Sequence, residues 1–311
     1  MLGAQPGPSL STLFPVDPLN PDDLLARPGA LATAIQERSR RSAASGARLS
    51  LTTHRSTLRD AGVDFAVHVL ERVTYKERHG NTLVAEDRNP FLDIEPDLWV
   101  GDLPPKHRVL LNKFNVVENH ALVVTRSFEP QTHPLTAADF EAAWHCLGQL
   151  DGLVFYNGGE AAGASQPHKH LQLLPLPLDE GPARIPLEPL LRGADPSGRV
   201  TAWPELPFAH ACVAVAECAG LEPAEAGLHC EDLYVRLRNA AGCPDPAPYN
   251  LLLTRQWMWV VARSRDAVED IPVNAMGYAG CLLVRDKDGL AALQRRGALE
   301  VLRRAGFPRD P

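Results

Sequence analysis

Between Tyr156 and Gln172 the chain reads YNGGEAAGASQPHKHLQ, a glycine-rich stretch running through Pro167 into polar residues at every second position. Side chains two apart on a β-strand share a face. A strand beginning at Pro167 therefore turns His168, His170 and Gln172 one way and Lys169, Leu171 and Leu173 the other. Three polar groups then occupy one small surface. Ahead of them, Gly158, Gly159 and Gly163 permit the backbone to bend so that successive N–H groups face an anion. A phosphate cradled there would lie beside an imidazole.

The rest of the sequence says what kind of ligand to expect. The 31 Lys and Arg against 38 Asp and Glu leave a formal charge of -7, so broad attraction to nucleic acid or to an anionic membrane is not expected. A polyanion would have to be small and held in a local pocket. The composition, 45% hydrophobic and 22% charged, is that of a soluble globular protein. No apolar run approaches the roughly 18 residues needed to span a bilayer. The N-terminus lacks a basic region leading into an apolar core, so a secretory signal is not expected and a cytoplasmic location is the default. Six cysteines without a C-x-x-C pair argue against a zinc cluster or a disulfide framework and for reduced thiols.

Proline, glycine and serine over residues 1 to about 20 predict an irregular arm, and a helix follows near Pro28 to Ser45. Alternation from Val63 predicts a strand, as do Arg108 to Phe114, His120 to Thr125 and Leu153 to Tyr156. Phe140, Ala143, Trp144, Leu147 and Leu150 recur at helical spacing behind an N-cap at Thr136. Pro175 to Pro207 reads as a long connection. Beyond it the chain predicts a strand (Ala209 to Val215), a helix (Glu222 to Ala240), two strands within Tyr249 to Arg263, a strand near Ala279 to Arg285 and one closing helix from Gly289. Strands adjacent in sequence favour an α+β fold with antiparallel sheets. The segments ALVVTRS and WVVARS are a faint echo of one another across the two halves.

A neutral imidazole is a competent nucleophile toward phosphorus, and His170, in the middle of the triplet, is the natural attacker. Gln172 can donate a hydrogen bond to a phosphoryl or leaving oxygen but cannot deliver a proton. This biases the chemistry toward transfer between phosphate-bearing partners and away from hydrolysis. On the tripeptide alone, H-x-H also fits a metal-ligand pair or two satisfied histidines. A cupin-like site would want a carboxylate a few residues on, where Leu174 and Pro175 stand.

The triplet behind G-A-S-Q resembles the transferase branch of the histidine-triad (HIT) superfamily, and within it the diadenosine tetraphosphate phosphorylases, or ATP adenylyltransferases. N-P-F (Asn89 to Phe91), L-L-N-K-F (Leu110 to Phe114), E-N-H-A-L-V-V-T (Glu118 to Thr125) and N-A-M-G-Y-A-G (Asn274 to Gly280) occur in that family's order. The resemblance implies an α+β fold, a HIT-like antiparallel sheet with packed helices plus a C-terminal α+β extension. It divides the chain into an arm and helix (1–50), a HIT-like catalytic domain (51–180), the Pro-rich connection (181–207) and a C-terminal ATP adenylyltransferase domain (208–311).

It further implies phosphorolysis of diadenosine tetraphosphate (Ap4A) to ADP and ATP through an AMP-histidine intermediate. The ligands would be dinucleoside polyphosphate, ATP, ADP and inorganic phosphate. His170, Gln172 and His168 would be the catalytic set, with Gln172 contacting phosphate. Asn157, Gly163, Ala164, Ser165 and Gln166 would line the phosphate site, helped by Lys76, Asn112 and Lys113. Asn274, Ala275, Met276, Cys281 and Arg285 would complete the nucleotide site, although the family commonly has Met where Cys281 stands and Lys where Arg285 stands. No cofactor is required for the covalent step, a divalent cation such as Mg accompanying the nucleotide at most. The alternatives are a dinucleoside polyphosphate sensor without turnover, a strand-borne metal enzyme, and a hexose-1-phosphate uridylyltransferase-like enzyme, a family that usually reads H-P-H at this place.

Overall fold

The polar triplet lies in the middle of an eight-stranded sheet. The computed structural model describes residues 18–71, 89–191 and 198–309; most of the expected N-terminal arm, and Lys76, lie outside them. In chain order the strands are β1 (Thr53–Asp60), β2 (Val63–Leu70), β3 (Trp99–Leu103), β4 (His107–Leu111), β5 (Ala121–Thr125), β6 (Gly152–Gly158) and β7 (His170–Pro175). After the connection come β8 (His210–Ala214), β9 (Tyr249–Leu253), β10 (Trp257–Ala262), β11 (Ala267–Val268), β12 (Ile271–Pro272) and β13 (Cys281–Val284). The helices are α1 (Pro21–Leu25), α2 (Ala30–Ser45), α3 (Ala137–Gln149), α4 (Pro223–Ala240), α5 (Ala275–Tyr278), α6 (Lys287–Arg296) and α7 (Ala298–Ala305).

The large sheet has the order β3-β4-β5-β7-β6-β9-β10-β8, and each pair of neighbours in it is antiparallel. Strands from before and after the connection thus share one hydrogen-bonded surface, joined where β6 meets β9. A second sheet, β1-β2-β13, brings the C-terminal strand parallel against β2. The fold is α+β, as the sequence predicts.

Each face of the large sheet is buried under a different layer. Val123, Leu171, Leu173, Leu251 and Val260 point toward α2, α3 and α4. Phe155, Leu252, Trp259 and Val261 point toward the small sheet and the C-terminal helices, meeting Phe65, Val67, Leu282 and Leu302. The period-2 alternation that separates these two sets also separates the triplet from its apolar neighbours.

Helix α3 begins where the sequence predicts, because Thr136 and Asp139 form a capping box that satisfies its first donors. Elsewhere the structure departs from expectation for identifiable reasons. Strand β7 starts at His170 and not Pro167, with His168 held just outside it in an isolated bridge to Pro130. Strand β1 is not predicted by the sequence, because THRSTLRD carries no apolar alternation; it is an edge strand, half solvated, held by pairing with β2. The closing helix is two helices. Gly297, at φ 87°, ends α6 in a left-handed conformation, and Asp60 accepts from Leu299 N at 2.9 Å to start α7. The run from Ala279 is interrupted at Gly280, so β13 begins at Cys281 after the short α5.

Candidate active site

Strand β7 is hydrogen-bonded on both sides, to β5 (Val124 opposite His170, Leu122 opposite Gln172) and to β6 (Phe155 opposite Gln172). Its orientation is fixed from behind. Lys169, between the two histidines, points to the helical face, where its Nζ donates to Pro134 O at 2.9 Å and lies 3.0 Å from Glu129 Oε2 and 3.3 Å from Asp139 Oδ2. Gln131 clips the front: its Oε1 accepts from His170 N at 2.8 Å and its Nε2 donates to Asn157 O at 2.9 Å.

Two hydrogen-bond relays, each anchored on a backbone N–H, decide which atom of each ring carries the proton. Phe91 N donates to Asn89 Oδ1, so Asn89 presents Nδ2 to His168 Nδ1 at 2.9 Å. His168 must then carry its proton on Nε2, which donates to the carbonyls of Thr125 (2.9 Å) and Ser127 (3.1 Å). The second relay starts at Phe114 N, which donates to Asn112 Oδ1; Asn112 Nδ2 donates to His120 Nδ1 at 3.0 Å, and His120 Nε2 donates to Gln172 Oε1 at 2.9 Å. Gln172 is left with its NH2 as the group it can offer a ligand.

His170 Nδ1 lies 2.8 Å from the carbonyl of His168 and so bears the proton, leaving the lone pair on Nε2. Among the described residues nothing donates to that nitrogen. Burial holds His170 and His120 each down to about 4 and also lowers His168, so all three rings are neutral near pH 7. Phe91 packs against His170 with ring centroids 5.1 Å apart.

Beside the triplet lies a cavity of about 570 Å³ whose wall includes Asn112, His120 and Gln172. From the glycine loop it includes Asn157, Gly163, Ala164 and Ser165, and from the C-terminal segment Asn274, Met276 and Cys281. His170, 3% exposed, lies beside the wall and not in it. Asn157 ties the two segments together, since its Oδ1 accepts from Asn250 Nδ2 at 2.9 Å and from Ala275 N at 3.0 Å. Gly163, at φ 87°, sits where a Cβ would come 2.8 Å from Asn274 Cβ, so only glycine lets the loop touch the C-terminal segment.

Several expectations for the site need correction. The glycine loop does not present a run of free amides: Gly159 N donates to Asn157 O, Gly163 N to Glu160 O and Ala164 N to Gly159 O, because a one-turn 3-10 helix consumes them. Lys113 turns away from the cavity, its ammonium against Glu95; it follows Asn112 at the strand end, where their side chains diverge. Gln166 and Ala275 lie outside the cavity wall, Ala275 contributing its backbone N–H to Asn157, and Arg285 is exposed at the end of β13. Lys76 lies outside the described residues. His120, Asn250 and Gln131 were not singled out. The β4–β5 register, which places Leu110 opposite Leu122 and Asn112 beside His120, is the signal that would have found His120.

Residues 21–193 match the Ap4A phosphorylase N-terminal domain and residues 204–308 match the ATP adenylyltransferase C-terminal domain. The chain is 33% identical to diadenosine tetraphosphate phosphorylase 2 of Saccharomyces cerevisiae, over 72% of this chain and 77% of that protein. It is 27% identical to protein APA1 of the same yeast, over 90% and 95%. The crystal structure of yeast Ap4A phosphorylase Apa2 in complex with Ap4A aligns with a TM-score of 0.74 at 26% identity, covering 90% of this chain and 98% of that one. With both of its domains matched in order, the chain belongs to the Ap4A phosphorylase family.

Proposed function

We propose that the chain catalyses phosphorolysis of Ap4A, phosphate plus Ap4A giving ADP plus ATP, by ping-pong adenylyl transfer through AMP bound to His170 Nε2. The yeast relative is named for this reaction, and its solved counterpart holds Ap4A. The observation that carries the mechanism is the pair of relays, which leaves one unengaged imidazole nitrogen and one outward-facing amide on the same strand face.

In the first step Nε2 bonds the α-phosphorus of one adenylyl end as the bond to the bridging oxygen breaks, and ATP departs with that bond's electron pair. ATP leaves as a stable polyanion and needs no proton, which suits a strand face on which Gln172 offers an amide. The ring gains positive charge as it bonds phosphorus, and the His168 carbonyl on Nδ1–H is placed to stabilise it. Gln172 NH2 and Asn157 Nδ2 are donors for the phosphoryl oxygens. In the second step an oxygen of inorganic phosphate attacks the same phosphorus, the P–N bond breaks toward Nε2, and ADP is released.

Incubating the protein with Ap4A, with and without inorganic phosphate, tests this. Sustained turnover to ADP and ATP in equal amounts is expected only with phosphate, a single ATP per site being released without it; sustained formation of AMP plus ATP with water alone would defeat it. A pH experiment follows from the burial of His170. The rate of ATP release in a single turnover without phosphate should be flat from about pH 8 down to about pH 5, falling only as the ring protonates near 4. A fall centred near 6.5 would mean that the ring titrates as an exposed imidazole.

A further inference from the structure

Arg263 is the penultimate residue of the WVVARS segment, just after β10, and is 0% exposed. Its five N–H groups meet five acceptors, none of them charged. Nε donates to Ala305 O at 3.2 Å, Nη1 to Ala162 O at 3.1 Å and to Asn250 Oδ1, and Nη2 to Arg265 O at 2.6 Å and Val273 O at 2.7 Å. The Tyr278 ring lies 5.3 Å from its Cζ. Among the described residues no carboxylate forms an ion pair with it; burial lowers its pKa, and Asp266 exerts only a lesser opposing influence. Arg126, its counterpart in the echoed ALVVTRS, is an ordinary surface residue that donates to Pro105 O.

The acceptors are informative. Ala162 immediately precedes Gly163 of the glycine loop, Val273 immediately precedes Asn274 of the C-terminal segment, and Asn250 is the residue that holds Asn157. One guanidinium therefore ties together three parts of the cavity wall from behind. A buried charge is costly unless something compensates it, and its field is poorly screened where water is absent. Here neutral oxygens satisfy the hydrogen bonds, and among the described residues no carboxylate is paired with the charge, which Tyr278 and Asp266 offset only in part.

We propose that Arg263 is a positioning residue whose charge is the built-in counter-charge for the ligand's phosphate chain, complete only when that chain lies on the Gly163–Ser165 loop. The proposal rests on the reading of that loop as the phosphate site. It makes affinity depend on phosphate charge through a residue that does not touch the ligand. It also explains why Arg is used, since only its five-donor fork reaches all three segments.

Equilibrium calorimetry on the full chain, with adenosine and ADP as probes, tests it without turnover. In Arg263→Gln the affinity for ADP should fall by about tenfold or more while that for adenosine changes by less than about twofold. Arg263→Lys, which keeps the charge but loses the fork, should hold the ratio of ADP to adenosine affinity within about threefold of the parent's. A purely structural clasp would weaken both ligands alike in Arg263→Gln, and that result overturns the proposal. Should Arg263→Gln not fold, Asn250→Asp sets a carboxylate against the guanidinium and must produce the same selective loss of ADP; an unchanged ratio of the two affinities overturns the proposal. A parent that binds both probes equally would sink the phosphate-site reading and this proposal with it. ADP selectivity without any turnover of Ap4A would leave the proposal standing and sink only the enzymatic reading.

Discussion

Replacing His170 with glycine is expected to lower the rate of Ap4A phosphorolysis by at least about 10⁴-fold, the scale seen when the nucleophile of a covalent mechanism is removed. The expectation follows by elimination at the site. His168 has both ring nitrogens engaged, by Asn89 and by the Thr125 and Ser127 carbonyls, and His120 has both engaged, by Asn112 and Gln172. Only His170 Nε2 keeps an unengaged lone pair in this cluster of described residues. Loss of the ring also removes the contact with Phe91, so thermal unfolding and circular dichroism must show that the variant is folded. Adding imidazole should restore part of the rate by occupying the space the ring left. In the parent, a single turnover with Ap4A should add the mass of an AMP group to the peptide containing His170. Parent-like rates in the folded variant would eliminate the histidine mechanism. Tight Ap4A binding by the parent without the mass increase would instead favour a binder that does not turn over.

Much of this site could be read in the sequence because strand alternation is a strong constraint. A period of two commits His168, His170 and Gln172 to one face whatever the remainder of the chain does. The glycine loop was legible in position but not in detail: several of its amides are consumed by a local turn, and Gly163 contributes close approach to Asn274, which only three-dimensional proximity reveals. Lys113 was drawn toward the site by its neighbours, yet at a strand end Asn112 and Lys113 diverge and a lone pairing with Glu95 decides where the lysine goes. The residues that were missed share a property. His120, Gln131, Asn250 and Arg263 act by bridging segments far apart in sequence, and such pairings depend on strand register and loop docking, which one sequence leaves undetermined. The same is true of β1, whose pairing with β2 supplies the order that its own residues do not encode.

The largest loss of stability is expected behind β7, at Asp139. Its buried carboxylate receives His107 Nε2 at 2.9 Å, Lys169 Nζ at 3.3 Å, and the backbone N and hydroxyl of Thr136 at 2.8 and 2.9 Å. Asp139→Ala leaves the Lys169 charge buried with only Glu129 to oppose it, strips His107 of its partner and removes the N-cap bonds of α3. Breaking a buried pair from one side typically costs about 3–5 kcal/mol, and a lost cap adds about 1 kcal/mol, although the two overlap. A fall in the unfolding midpoint of roughly 6 °C or more follows. Asp139→Asn keeps the shape and isolates the charge. Burial alone would raise the Asp139 pKa, but His107 and the Lys169 ammonium outweigh it and hold the group below its ordinary 3.8. A carboxyl depressed in the folded state contributes fully above its unfolded pKa and loses that contribution as pH falls toward the folded value. The difference in unfolding free energy between the parent and Asp139→Asn should therefore narrow as pH falls below 3.8. A difference that persists unchanged down to pH 2 would mean that shape and hydrogen bonding, not the ionised carboxylate, hold Lys169 in place. Since Lys169 stands between His168 and His170, the two outcomes also separate electrostatic from steric control of how the two histidines are held.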